Sequence, residues 1–209
     1  RHPILPYAGY VLENWQIDDP NGAIPSGCSE AITVDNTRLV QNLLGNSDES
    51  WFIRIHVDIE ARAAEALLNI QTATDATDDA ATLETALAAV HHSLRQMTKS
   101  FKRMPQGCDA DAYYYKVRPY LFGFNDIVYE GAFGDQPQSF RGQTGAQSSV
   151  IPALVAGLGL RHEGNGLTQH LDVMKDYMPK PHREFIATMH HAGIREAVLR
   201  QHENTALVE

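Results

Sequence analysis

The apolar positions of this chain follow two regimes. Over residues 1–50 they are scattered and broken by Pro, Gly, Asn and Asp. That pattern predicts loops and short extended pieces, with one short helix near Tyr7 to Trp15. Trp51 to Val57 is a compact apolar stretch, compatible with a strand or a buried helix, since periodicity alone does not separate them. The following DIEARAAEALLNIQ is rich in Ala, Leu and Glu and favours helix. After it, Leu83, Leu87, Val90, Leu94, Met97, Phe101 and Met104 recur at steps of four and three, which predicts one apolar stripe along a long helix. Thr77, Asp78 and Asp79 supply its start, where acidic side chains suit the positive end of the helix dipole. Lys99, Lys102 and Arg103 mark its end, and Pro105 and Gly107 stop it.

The remaining pattern is also helical. Asp109 or Asp111 is placed to cap a helix carrying Tyr113, Tyr114, Tyr115 and Arg118, which Pro119 should kink or end. Ser148 or Ser149 is placed to cap VIPALVAGLGL, with Pro152 tolerated in the first turn. Leu167, Leu171, Met174 and Met178 line a helix up to Pro179. Pro181 opens another, with Phe185, Ile186 and Met189 inward and Gly193 at its end. Ile194 to Gln201 forms a last short helix. The fold class is therefore mainly α, with few strands.

Composition narrows the function classes. The 209 residues suffice for one domain or a large part of one. The formal net charge of −9 argues against nucleic acid or an anionic membrane as the main partner. No apolar run approaches the roughly 20 residues of a membrane span, and no signal peptide is visible. Cys28 and Cys108 form no CxxC pair, which fits a reducing, cytoplasmic setting. The chain starts at Arg1 and ends at Glu209 without a helix-ending signal, so both ends are expected to be cut. No Cys/His cluster has zinc-ligand spacing, and no GxSxG marks a hydrolase. The loop Gly142-Gln143-Thr144-Gly145-Ala146 is neither a P-loop nor GxGxxG. Its small residues let backbone approach a flat ligand closely. His56-Val57-Asp58 is two-thirds of a facial triad for non-haem Fe(II), which His162, His170 or His182 would complete.

Four patches carry more specific information, in order: YAGYVLENW from Tyr7 to Trp15, Phe52 to Glu60, Tyr113 to Phe124, and VYEG from Val128 through FRGQTGAQSS to YMPKPHREF. In this order they resemble the helical haem domain of the indoleamine 2,3-dioxygenase family, across nearly the whole chain. The resemblance implies a haem b (iron protoporphyrin IX) protein. It would insert both atoms of O2 across the indole C2–C3 bond of L-tryptophan, or of another indole, to give N-formylkynurenine. It implies that residues 1–209 are part of the large haem domain, with the small N-terminal domain absent.

The resemblance also implies site roles. Tyr7 stands over the distal haem face, with Tyr10 and Val11 beside it. Phe52 forms the distal wall. His56, where animal members usually carry serine and tryptophan 2,3-dioxygenases place a histidine comparably, either donates to bound O2 or accepts from the indole N–H, according to tautomer. Arg118 pairs with the substrate carboxylate, because its planar fork matches one. Tyr113 takes the place of a pocket phenylalanine. Gly142, Gln143, Thr144, Gly145 and Ala146 lie along the haem edge and substrate, with Thr144 supplying a hydroxyl. The proximal iron ligand, a histidine, is expected beyond Glu209. His182, His190, His191 and His202 do not match its motif, and His190 and His191 are expected to face solvent. A helical binding domain without catalysis is the competing expectation from another class.

Overall fold

The computed structural model describes residues 3–18 and 31–206; Cys28 and the side chain of His202 lie outside what it describes. Its spine is α1, Ser47–Asp75. The Asn46 side chain accepts from the Glu49 N–H and starts the helix. The ambiguous Trp51–Val57 stretch is thus the first half of a helix about 43 Å long. α2, Ala80–Lys102, returns alongside it after a short turn, capped by Asp79, whose carboxylate accepts from the Ala81 and Thr82 amides.

α1 serves two cores. Its C-terminal half presents Ala63, Ala66, Ile70 and Ala73, spaced three, four and three, to one side. Such small side chains let neighbouring helices approach. Against them pack Leu83, Ala86, Val90 and Met97 of α2. Also packed there are residues of α4 (Val150–Gly157), α6 (Lys180–Met189) and α7 (Ile194–Ala206). Gly157 is needed here: a Cβ on it would stand 2.6 Å from Ile70 Cγ1. The N-terminal half of α1 turns Ile53 and Val57 into a second core, shared with Tyr7, Tyr10, Val11, Tyr113, Val117 and Leu121.

Two short antiparallel pairs complete the fold, β1 (Trp15–Ile17) with β2 (Thr37–Leu39), and β3 (Phe124–Ile127) with β4 (Gln138–Phe140). Asp109 caps α3, Ala110–Ala112, through the Ala112 amide. The chain then widens into a π-turn over Tyr113–Val117 and tightens into a 3-10 turn over Arg118–Leu121. Pro119 explains this break, since it has no N–H with which to continue the ladder. A second π-turn spans Ala8–Leu12. Both π-turns carry residues of the second core, and such turns often occur at functional sites.

Two local expectations are corrected. Phe101 is 59% exposed and leaves the apolar stripe of α2. Leu167, on α5 (Gly166–Lys175), is also exposed, while Met174 is buried. Of the two cap candidates for α4, Ser148 accepts from the Val150 amide at 3.3 Å, while Ser149, at the N-cap position, pairs its hydroxyl with His182 Nδ1 at 2.8 Å.

Candidate functional site

The second core assembles an aromatic cluster from three remote segments. Phe52 stacks on Tyr113, with centroids 3.9 Å apart and planes 21° apart. One turn along α1, His56 lies against Phe52 at 4.3 Å. The Tyr7 ring meets His56 edge-on at 6.3 Å. These contacts are the offset and edge geometries that aromatic pairs prefer.

The cluster has an inner and an outer layer. Tyr7, Tyr10, Val11 and Tyr113 are buried, whereas Phe52 and His56 keep partial access to solvent and Arg118 is exposed. Burial pushes the tyrosine hydroxyls of Tyr7, Tyr10 and Tyr113 well above the ordinary phenol value, so they are neutral donors. Tyr10 donates to Glu49 at 3.4 Å. Glu49 is fully buried and also receives the amides of Leu43 and Leu44. Tyr10 and Val11 are thus buried among the described residues. They support the layer that Phe52 and His56 present.

His56 has a defined tautomer. Its Nδ1 lies 2.8 Å from the Phe52 carbonyl oxygen. A carbonyl only accepts, so Nδ1 carries the proton and Nε2 keeps its lone pair. Nε2 has no hydrogen-bond partner among the described residues. Burial holds the imidazole below its ordinary value, against the opposing pull of the Phe52 carbonyl, and keeps it neutral.

Arg118 leads the 3-10 turn just beyond Tyr113. It makes no hydrogen bond or ion pair within the described residues, so its guanidinium fork is open. Its charge reaches Tyr113, where it opposes the effect of burial.

The small-residue loop divides into two functions. A Cβ on Gly142 would press on the Leu121 carbonyl oxygen and lie 2.7 Å from the Gly123 nitrogen. The chain crosses itself there, so Gly142 serves a backbone crossing. Gly145 differs: a Cβ there would meet nothing within 4 Å. Thr144 caps the turn Gly145–Gln147 by accepting from the Ala146 amide at 3.3 Å. Gln143 is buried.

Gly145 and Ala146 edge a cavity of about 470 Å³ whose apolar walls include Ile151, Val155, Leu171 and Ile186. That size lies within the roughly 300–1,000 Å³ of small-molecule sites. Apolar walls beside the small residues Gly145 and Ala146 suit a flat apolar face such as that of a porphyrin. His162 and His190 also line this cavity. Tyr7, Phe52, His56 and Tyr113 do not, because their rings close upon one another. The cluster and the cavity are joined through Ser148, which lines the cavity and donates to Glu60 at 2.6 Å, the same carboxylate that receives Tyr7.

The facial-triad arrangement is not formed. Two residues apart on a helix, His56 and Asp58 point about 200° away from each other. Asp58 is buried, paired with Arg62 at 3.0 Å and bonded by the Val34 amide. His162 and His170 are exposed, and His182 is bonded to Ser149. Among the described residues no three His, Cys, Asp or Glu side chains are grouped to hold a metal. His190 and His191 are exposed, as expected. No helix among the described residues is long and apolar enough to cross a membrane.

Sequence reasoning missed Glu49, Glu60, Gln147 and Ser148. For Glu60 a signal existed: it lies four residues after His56, on the same face of α1. For Glu49 too a local signal existed, since Asn46 followed three residues later by Glu49 is a helix-start pattern; the bonds that tie Gln147 and Ser148 to Tyr7 and Glu60 span 140 and 88 residues and left no local mark.

Known proteins place this arrangement. A family model for indoleamine 2,3-dioxygenase matches residues 1–209. Indoleamine 2,3-dioxygenase 1 of Rattus norvegicus is 33% identical over 215 residues, covering 97% of this chain and 51% of the rat protein. Indoleamine 2,3-dioxygenase of Saccharomyces cerevisiae is 30% identical over 228 residues, covering 99% of this chain and 49% of the yeast protein. A protein named myoglobin from Haliotis madaka is 26% identical over 198 residues, covering 90% of this chain and 48% of its own. The chain spans about half the length of these curated relatives. With a family match from its first residue to its last, over a mainly helical fold, the chain belongs to the indoleamine 2,3-dioxygenase family.

Proposed function

We propose that the protein carrying this chain is a haem b dioxygenase that opens the indole ring of L-tryptophan, or of a related indole, with O2. The observation that carries the reading is His56. It is a neutral imidazole with an unpartnered Nε2, set between Phe52 and Tyr7, in a chain matched end to end by the family.

Haem, when bound, supplies the activation of O2. The residues of this chain supply position and polarity. Gly145, Ala146 and Thr144 would hold the edge of the porphyrin, and Phe52 would hold the indole ring. The Nε2 lone pair of His56 would accept the indole N–H, since its Nδ1 proton is committed to the Phe52 carbonyl. Arg118 would take the amino-acid carboxylate in a bidentate grip. Tyr7 and Tyr113 would keep His56 and Phe52 in place from behind. A histidine from outside residues 1–209 would hold the haem iron, and the protein would act in the cytoplasm.

The test is Arg118→Ala in the intact protein. Losing a charged hydrogen-bonded partner, about 1.5–3 kcal/mol, should raise KM for L-tryptophan about 10- to 100-fold. Haem content, read from the Soret band, should be unchanged. Equal loss of haem and of substrate affinity would contradict the assignment. The likeness to a relative named myoglobin favours a second reading, a haem protein without indole turnover. Intact protein that is loaded with haem and consumes no indole would favour it.

A further inference from the structure

Between the aromatic cluster and the cavity sits a carboxylate that the reaction outlined above does not use. Glu60 Oε1 accepts the Tyr7 hydroxyl at 2.9 Å and the Ser148 hydroxyl at 2.6 Å. The three residues come from the segment just before the π-turn Ala8–Leu12, the middle of α1 and the loop before α4. Tyr7 is fastened to the same loop a second time: its amide donates to Gln147 Oε1 at 2.9 Å. Gln147 is 2% exposed, and its Nε2 donates to the Gly142 carbonyl at 3.0 Å. Tyr7 is thus gripped at its backbone and at its phenol end by one loop.

Two things depend on that grip. The Tyr7 ring edge faces His56, one turn before Glu60 on the same face of α1. The gripped loop carries Gly145 and Ala146, which edge the cavity, and Ser148, which lines it. A carboxylate with two hydroxyl donors on one oxygen therefore sets the distance between the cavity wall and the His56 side of the site. Next to Ser148, the Ser149 hydroxyl is bonded to His182 of α6, so the loop is also braced from its far side.

We propose that Glu60 is a positioning residue of this site, clasping Tyr7 to the 142–149 loop and so holding His56's neighbour and the cavity edge in register. The clasp is a matter of geometry; only its kinetic consequence rests on the function proposed above.

Glu60→Gln retains an oxygen able to accept both hydroxyls, and Glu60→Ala removes it. Hydrogen exchange on this chain, read without any enzymatic activity, is the first arm. The Gln147 and Ser148 amides are bonded within the turn, to Thr144 and Gly145. In Glu60→Ala their exchange should accelerate about tenfold or more, the equivalent of one or two lost hydrogen bonds. In Glu60→Gln it should stay close to the parent. The second arm uses the intact protein. Glu60→Ala should lower kcat/KM for the indole about tenfold at unchanged haem content, Glu60→Gln should recover most of it, and Tyr7→Phe should reproduce part of the loss. Unchanged loop exchange in Glu60→Ala overturns the proposal. So does a Glu60→Gln variant as impaired as Glu60→Ala. Intact parent protein that turns over no indole would instead defeat the functional reading, leaving the exchange arm to decide on Glu60.

Discussion

Gly142 and Gly145 lie three residues apart in one loop, and alanine should have opposite effects at the two. Neither has a left-handed φ, so the difference is steric. At Gly142 the new Cβ would press on the Leu121 carbonyl and lie 2.7 Å from the Gly123 nitrogen and 2.8 Å from the Phe122 carbonyl carbon. All three are backbone atoms and have no rotamer to escape into. The two strands of chain must part, and overpacking of this kind costs about 1–3 kcal/mol or somewhat more. At Gly145 the methyl group would meet nothing within 4 Å. Gly145→Ala should lie within about 0.5 kcal/mol of the parent, or gain about 0.4–1 kcal/mol by restricting the unfolded chain. Urea unfolding followed by circular dichroism reads both as shifts in midpoint at constant slope. A Gly142→Ala variant as stable as Gly145→Ala would refute the backbone crossing. Gly145→Leu carries the distinction into function: its side chain would enter the cavity and weaken haem uptake more than it weakens the fold.

Two other predictions concern charge and packing. His56 is held below its ordinary value of 6.5. Its contribution to stability is therefore complete above pH 6.5 and should be lost as pH falls from there through its lowered folded value. Glu60 is held above its ordinary value of 4.5 by burial, against the lowering pull of Ser148, Tyr7 and His182. Its contribution should fade as pH rises from 4.5 through its raised value. Denaturation curves across pH 4–8 should lose the first slope in His56→Phe and the second in Glu60→Gln; a slope retained in its own variant would exclude that residue as the source. In the main core, Gly157→Ala should collide with Ile70, while Ile70→Ala should leave a cavity costing about 2–5 kcal/mol. The double variant should be more stable than the sum of the two by about 1 kcal/mol or more, and additivity within about 0.5 kcal/mol would show that the helices do not meet there.

Much of the helical framework was legible in the sequence because helices are encoded locally. The α2 stripe from Leu83 to Met97, its Asp79 cap and the break at Pro119 follow from 3.6-residue periodicity and from which backbone groups a terminus or a proline leaves unpaired. Phe101 obeyed the same periodicity yet is exposed, since a stripe records which face is apolar and not how far along the helix a partner extends. Trp51–Val57 shows the limit from the other side: its apolar run allowed strand or helix until α1 was seen to pass between two cores.

Family membership, and the proposal that His56, Phe52, Tyr113 and Arg118 form a site, came from ordered short motifs, which a linear chain displays directly. Their geometry did not. The tautomer of His56 depends on one carbonyl, and the burial of Tyr10 and Val11 depends on helices that fold over them. Glu60 reads along the chain as one more charged residue on a helix face. Its two partners lie 53 and 88 residues away. Local sequence sets which face of each segment is apolar and where it must end. Contacts across such separations, and backbone crossings such as Gly123 over Gly142, exist only once remote segments have been brought together, and those decided what each loop glycine and each buried carboxylate does.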